Sequence, residues 1–160
     1  MLNPDPPSKV VRLKARLSNV RSDLEEVLSR LDQDMMSWSP APGMRTVSGQ
    51  LVEIAITELQ IVLQLQEGRW IPDEEAKQLV GDCDSLRNLA IKLASIRANT
   101  LAYLDSLSPS ALEEQVMVRT QGLPSNPRSE VFRTIAQHEY YHVGQLVSYL
   151  WARGDDPYRW

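Results

Sequence analysis

The chain has 160 residues, 42% apolar and 24% charged, with a net charge of -4; that is the size and balance of one globular domain, not of a disordered, collagen-like or two-domain chain. The negative balance, with no basic stripe, speaks against nucleic acid as a partner, because affinity for it comes from Lys and Arg neutralising phosphates. Charge also interrupts each apolar stretch before the roughly 18 residues that a bilayer-spanning helix needs, so no membrane is expected as a partner either.

The first residues, Met1-Leu2-Asn3-Pro4-Asp5-Pro6-Pro7, have neither the basic start nor the apolar run of a secretion signal, and a flexible leader over residues 1–7 of a cytoplasmic domain is the expectation. Ser8 then offers an N-cap. Leu13, Leu17, Val20, Leu24, Leu28, Leu31 and Met35 recur at steps of three and four, lining one face of a helix. Ser39-Pro40-Ala41-Pro42-Gly43 ends it.

Thr46 can cap a second helix carrying Leu51, Ile54, Ala55, Leu59, Val62 and Leu65 as far as Gly68, with a loop at Ile71-Pro72-Asp73. A third helix is predicted from about Asp84 to Leu107, stopped by Ser108-Pro109. The lone Cys83 cannot form an internal disulfide and reads as a small buried hydrophobe. From Ser108 to Asn126 the helical period is lost, apart from an alternation at Val116 and Val118 that suggests a short extended piece. A connection of this length tends to be functional, here by shaping a pocket, although its Gln121-Gly122-Leu123-Pro124-Ser125 segment points to no ligand class. Asn126 as N-cap, with Pro127 in the first turn, opens a fourth helix to Arg153, and Gly154 stops it. The expected fold is therefore all-α: a single-domain four-helix bundle with a long connection between its third and fourth helices.

The chain's two histidines stand together in His138-Glu139-Tyr140-Tyr141-His142. Positions i and i+4 of a helix lie one above the other, so two imidazoles can reach one ion without backbone strain; chance gives this spacing roughly one time in a hundred. The plain alternative is a pair of helical histidines that bind nothing. Gln145 and Tyr149 fall on the same face and could touch water or substrate held at such an ion, whereas Tyr140, Tyr141 and Trp151 read as packing or interface aromatics. The string also fits H-E-x-x-H, the zinc motif of metalloproteases. That reading lacks a third ligand beyond Asp155 and Asp156, and Gly144 falls one residue short of its place in the extended motif.

Two protein ligands rarely hold a catalytic metal, so a third is needed, and with no histidine left it would be a carboxylate. The second helix offers Glu53, on a polar face with Gln50, Thr57, Gln60 and Gln64, and Glu58, within the apolar arc. Periodicity alone does not choose between them, and it also allows Glu53 to be plain solvated surface.

Three segments carry a resemblance over nearly the whole chain: Trp38-Ser39-Pro40-Ala41-Pro42-Gly43, Leu51-Val52-Glu53-Ile54-Ala55, and His138 to Leu146, where the H-x-x-x-H pair is followed by Gly144-Gln145. The chain resembles the DinB/YfiT-like family of bacterial four-helix-bundle metalloenzymes, which is distinct from the DNA polymerase sharing the DinB name. The resemblance implies metal ligands at His138, His142 and Glu53, the last standing where the family usually has histidine. Two histidines and a carboxylate suit zinc or nickel, with iron also open. It further implies a thiol S-transferase or hydrolase acting on a small molecule such as a low-molecular-weight thiol, with Gln145 and Tyr149 as supporting contacts. A homodimer is expected as well, with Trp70, Trp151 and Trp160 able to form an apolar patch. The alternative is a metal-free or degenerate bundle used for dimerisation or protein interaction, for which the departure at Glu53 is the main support.

Overall fold

A computed structural model describes residues 8–117 and 125–160. Four long helices form the body: α1 (Lys9–Arg30), α2 (Val47–Glu67), α4 (Leu86–Ser106) and α5 (Arg128–Ala152), with a short α3 (Asp73–Val80) between α2 and α4. The expected caps at Ser8 and Thr46 hold, and Ser85 caps α4 in the same way. Ser8 accepts from the Val11 amide, Thr46 from Gly49, and Ser85 from Asn88, each relieving an otherwise unpaired N–H of a first turn. Gly68 ends α2 at φ 72° and Gly154 follows α5 at φ 97°, backbone states that a Cβ disfavours.

Three boundaries differ from the sequence reading. Helix α1 stops at Arg30, because Leu31 is extended, and a 3₁₀ turn over Gln33–Met35 then brings Met35 back into the core. Helix α3 begins at Asp73, the last residue of the expected Ile71-Pro72-Asp73 loop, and fills a stretch to which the sequence pattern assigns no element. Its two core-facing residues, Ala76 and Val80, are too few to show a period, but Asp73, Glu74 and Glu75 in its first turn suit the positive helix start. At the head of α5, Pro127 takes the cap position in place of Asn126, and β2 (Asn126–Pro127) pairs antiparallel with β1 (Gln115–Val116). Val118 and the Gln121–Pro124 part of the connection, like the leader, lie outside the described residues.

The long helices pack in a ring, α1 on α5, α5 on α2, α2 on α4 and α4 on α1, while α3 climbs back along α2, so that α2 and α4 run alike and opposite to α1 and α5. The ring encloses two apolar compartments. One gathers Leu24, Val27, Leu51, Ile54, Leu89, Leu93, Leu146 and Leu150 with the buried face of α3. The other gathers Leu13, Leu17, Ile61, Val62, Leu104, Val131, Phe132 and Ile135.

Between them lies a layer of charge, one residue from each long helix: Arg21, Glu58, Arg97 and Glu139, exposed by 7%, 2%, 4% and 1%. Arg21 Nε is 2.7 Å from Glu139 and its Nη2 is 3.1 Å from Glu58. Arg97 donates to both Glu58 oxygens at 2.7 and 2.9 Å and also to Glu139. The Thr100 hydroxyl donates to Glu58 at 2.6 Å, and the two guanidiniums reach the carbonyls of Leu93 and Leu17. Burial works against the Arg97 charge, yet the hydrogen bonds and charge of Glu58, with those of Glu139, outweigh it and hold Arg97 above its ordinary pKa. Two positive and two negative groups cancel, which is what allows ions to persist at this depth. No helix among the described residues is long and apolar enough to cross a membrane.

Candidate metal centre

Helices α2 and α5 meet in the first compartment, where their polar faces form a pocket of about 410 Å³ lined by Arg45, Gln50, Glu53, His138, His142 and Gln145 among others. The i, i+4 spacing on α5 does what it suggests: His138 Nε2 and His142 Nε2 stand 3.1 Å apart. That is less than twice the usual metal–nitrogen bond of about 2.0–2.1 Å, so one ion can reach both nitrogens.

The protonation of His142 follows from a chain of hydrogen bonds. Tyr149 Oη donates to the backbone carbonyl of Arg45 at 2.7 Å, and a carbonyl can only accept. The Tyr149 oxygen therefore accepts from Gln50 Nε2 at 3.2 Å, which turns Gln50 Oε1 toward His142 Nδ1. Nδ1 must carry the proton, and the lone pair of Nε2, on the pocket side, accepts from His138 Nε2. Burial holds the His142 pKa below its ordinary value; the charge of Glu53 acts against that shift and that of Arg45 adds to it. The neutral imidazole is the form that binds metals.

Glu53 lines the same pocket and is near enough to act on the His142 charge, but its carboxylate lies 2.5 Å from Arg45 Nη1. Among the described residues no three His, Cys, Asp or Glu side chains are gathered closely enough to hold an ion. The histidine pair is thus assembled, while Glu53 is in the pocket with its carboxylate paired to Arg45. Gln145 also lines the pocket, and its Oε1 is buried without a hydrogen-bond partner. Tyr149 acts on His142 through Gln50.

Residues 16–146 match the family model of the DinB superfamily. The chain belongs to the DinB superfamily. No curated protein and no solved structure matches it. The matched stretch of this DinB superfamily protein contains Glu53, His138, His142 and Gln145.

Sequence reasoning missed Gln50. It shares the polar face of α2, yet it is 3% exposed, because the part of that face with Gln50 and Glu53 looks into the pocket. Glu139, the general base of the metalloprotease reading, instead points into the charged layer and is bound by Arg21 and Arg97. The connection after α4 contributes none of its described residues to the pocket. Its Leu112 packs in the second compartment, at the opposite end of α5 from Gln50 and Tyr149. Cys83 is partly buried against the first compartment. Of the tryptophans, Trp70 packs on the second compartment, while Trp151 stands edge-on to Tyr158 and Trp160 lies under Arg30.

Proposed function

We propose that this member of the DinB superfamily is a divalent-metal-dependent enzyme acting on a small molecule, of the thiol S-transferase or hydrolase type, with His138, His142 and Glu53 holding the ion. The observation that carries the reading is the pair of facing Nε2 atoms, one with its proton position set by Gln50 and Tyr149. Outer hydrogen bonds of this kind orient metal-binding histidines and raise their basicity. When bound, zinc, nickel or iron at such a site supplies Lewis acidity at an open position, enough to make a thiol or water nucleophilic near neutral pH. The residues of the chain do the rest: His142 stays neutral, Gln145 Oε1 offers an acceptor to a substrate N–H or O–H, and Tyr141, edge-on to the His142 ring at 5.3 Å, walls the pocket. Elemental analysis of gently purified protein should find close to one equivalent of metal, lost in His142→Ala; wild type without metal and without affinity on reconstitution would contradict the reading.

A second reading, a metal-free bundle serving self-association, is favoured by the Arg45–Glu53 pair, which occupies the third ligand. Its surface would be the groove of about 560 Å³ between α1 and α5, lined by Arg12, Arg16, Asn19, Asp23 and the exposed Tyr140. Arg16 and Asp23 lie about two turns apart on α1, so a two-fold axis near Asn19 sets each opposite its counterpart in a second copy. A dimer in sedimentation that Arg16→Asp splits and Arg16→Asp/Asp23→Arg restores supports this surface; a monomer at micromolar concentration removes it.

A further inference from the structure

We propose that Arg45 is the recognition group for a carboxylate-bearing small-molecule substrate in this pocket, and that it becomes available when Glu53 turns from it to the metal. The inference rests on the metal reading for its trigger, and it deepens that reading by naming a substrate class.

Arg45 is placed with unusual care for a residue outside any helix. Its backbone carbonyl accepts from Tyr149 Oη, and the next residue, Thr46, caps α2. Its stem lies across the first turn of that helix in the space left by Gly49, where an added Cβ would stand 2.7 Å from Arg45 Cγ and 3.2 Å from Thr46 Oγ1. The guanidinium is thereby directed to the mouth of the pocket, half-exposed, with Glu53 2.5 Å away.

Charge then decides what kind of molecule fits. Apart from the histidine pair, Arg45 and Glu53 are the charged side chains among the lining residues, and together they cancel. Once a divalent ion takes Glu53 the balance becomes strongly positive, since the carboxylate cancels only half of the ion's charge and Arg45 has lost its partner. An anion is the complement. The planar guanidinium already holds one planar carboxylate, that of Glu53, and a fork of N–H donors matches a second in the same place. A half-exposed pair of this kind is weak and exchanges readily, so the pair reserves the site without blocking it.

The test uses the full chain and succinate as probe, with neutral succinamide and inorganic phosphate as controls, followed by calorimetry. In metal-free protein, Glu53→Gln should bind succinate about tenfold more tightly than wild type, and Glu53→Gln/Arg45→Gln should lose the gain. Gly49→Ala in the Glu53→Gln background should reduce it too, by displacing the Arg45 stem while leaving its charge in place. Zinc added to wild type should raise succinate affinity by a similar factor, and Arg45→Gln should retain zinc affinity but not this rise. The assignment is overturned if metal-free Glu53→Gln gains nothing, if the gain survives Arg45→Gln, or if phosphate or succinamide binds as well as succinate. Arg45-dependent gain in metal-free Glu53→Gln, with no zinc affinity in wild type, upholds the recognition role of Arg45 and overturns both the metal trigger and the metal reading.

Discussion

Gln50 donates its side-chain amide to the hydroxyl of Tyr149 at 3.2 Å, and the direction of that one bond determines which nitrogen of His142 bears the proton. Tyr149→Phe removes the acceptor and frees the Gln50 amide to reverse; Gln50→Leu removes the partner of Nδ1 altogether. Each is expected to weaken zinc or nickel binding by about 10- to 100-fold while the helical circular dichroism stays unchanged. Equal affinity in both variants would show that the chain of bonds does not serve the histidines.

The charged layer gives an expectation for stability. Arg97→Met leaves Glu58 and Glu139 short of a buried cation and should destabilise the fold by about 3–5 kcal/mol, a large share of the roughly 5–15 kcal/mol typical of a domain. Urea denaturation reads this directly. Glu58→Met should be similarly severe, and Arg97→Met/Glu58→Met less so than the sum, because the two share hydrogen bonds at 2.7 and 2.9 Å. Simple additivity would mean that the layer is not one connected unit.

That layer also shows where the sequence was readable and where it was not. The long helices could be placed from Ser8, Thr46, Gly68 and Gly154, since capping chemistry is local. Arg21, Glu58, Arg97 and Glu139 each interrupt an apolar stripe: Arg21 between Leu17 and Leu24, Arg97 after Leu93, and Glu139 between Ile135 and Val143. One charge in one stripe reads as a helix edge; only the fold shows two of each sign meeting at a single level. Gln50 was hidden for the opposite reason, because a polar face lining a pocket has the same period as one facing water. Helix α3, with only Ala76 and Val80 buried, has too few turns to reveal itself by period.

The thiol of Cys83 lies above its ordinary pKa, chiefly through burial and then through the negative charges of Asp82 and Asp84. A raised pKa leaves less thiolate at a given pH, and thiolate is the reactive form. Alkylation at pH 8 should therefore be slower than for a free cysteine and should keep accelerating as the pH rises past the point where a free thiol levels off. Asp82→Asn/Asp84→Asn should speed the reaction at pH 8. A rate equal to that of a model thiol would remove the effect of burial.

The central claim is that His138, His142 and Glu53 converge on one ion. Diffraction from crystals grown with zinc, with data at the absorption edge, tests it most directly. One strong anomalous peak is expected about 2.0–2.1 Å from both Nε2 atoms and 2.0–2.2 Å from a Glu53 oxygen, with Arg45 turned away from Glu53. No peak between the histidines at saturating zinc, or a peak there with Glu53 still paired to Arg45, would contradict it.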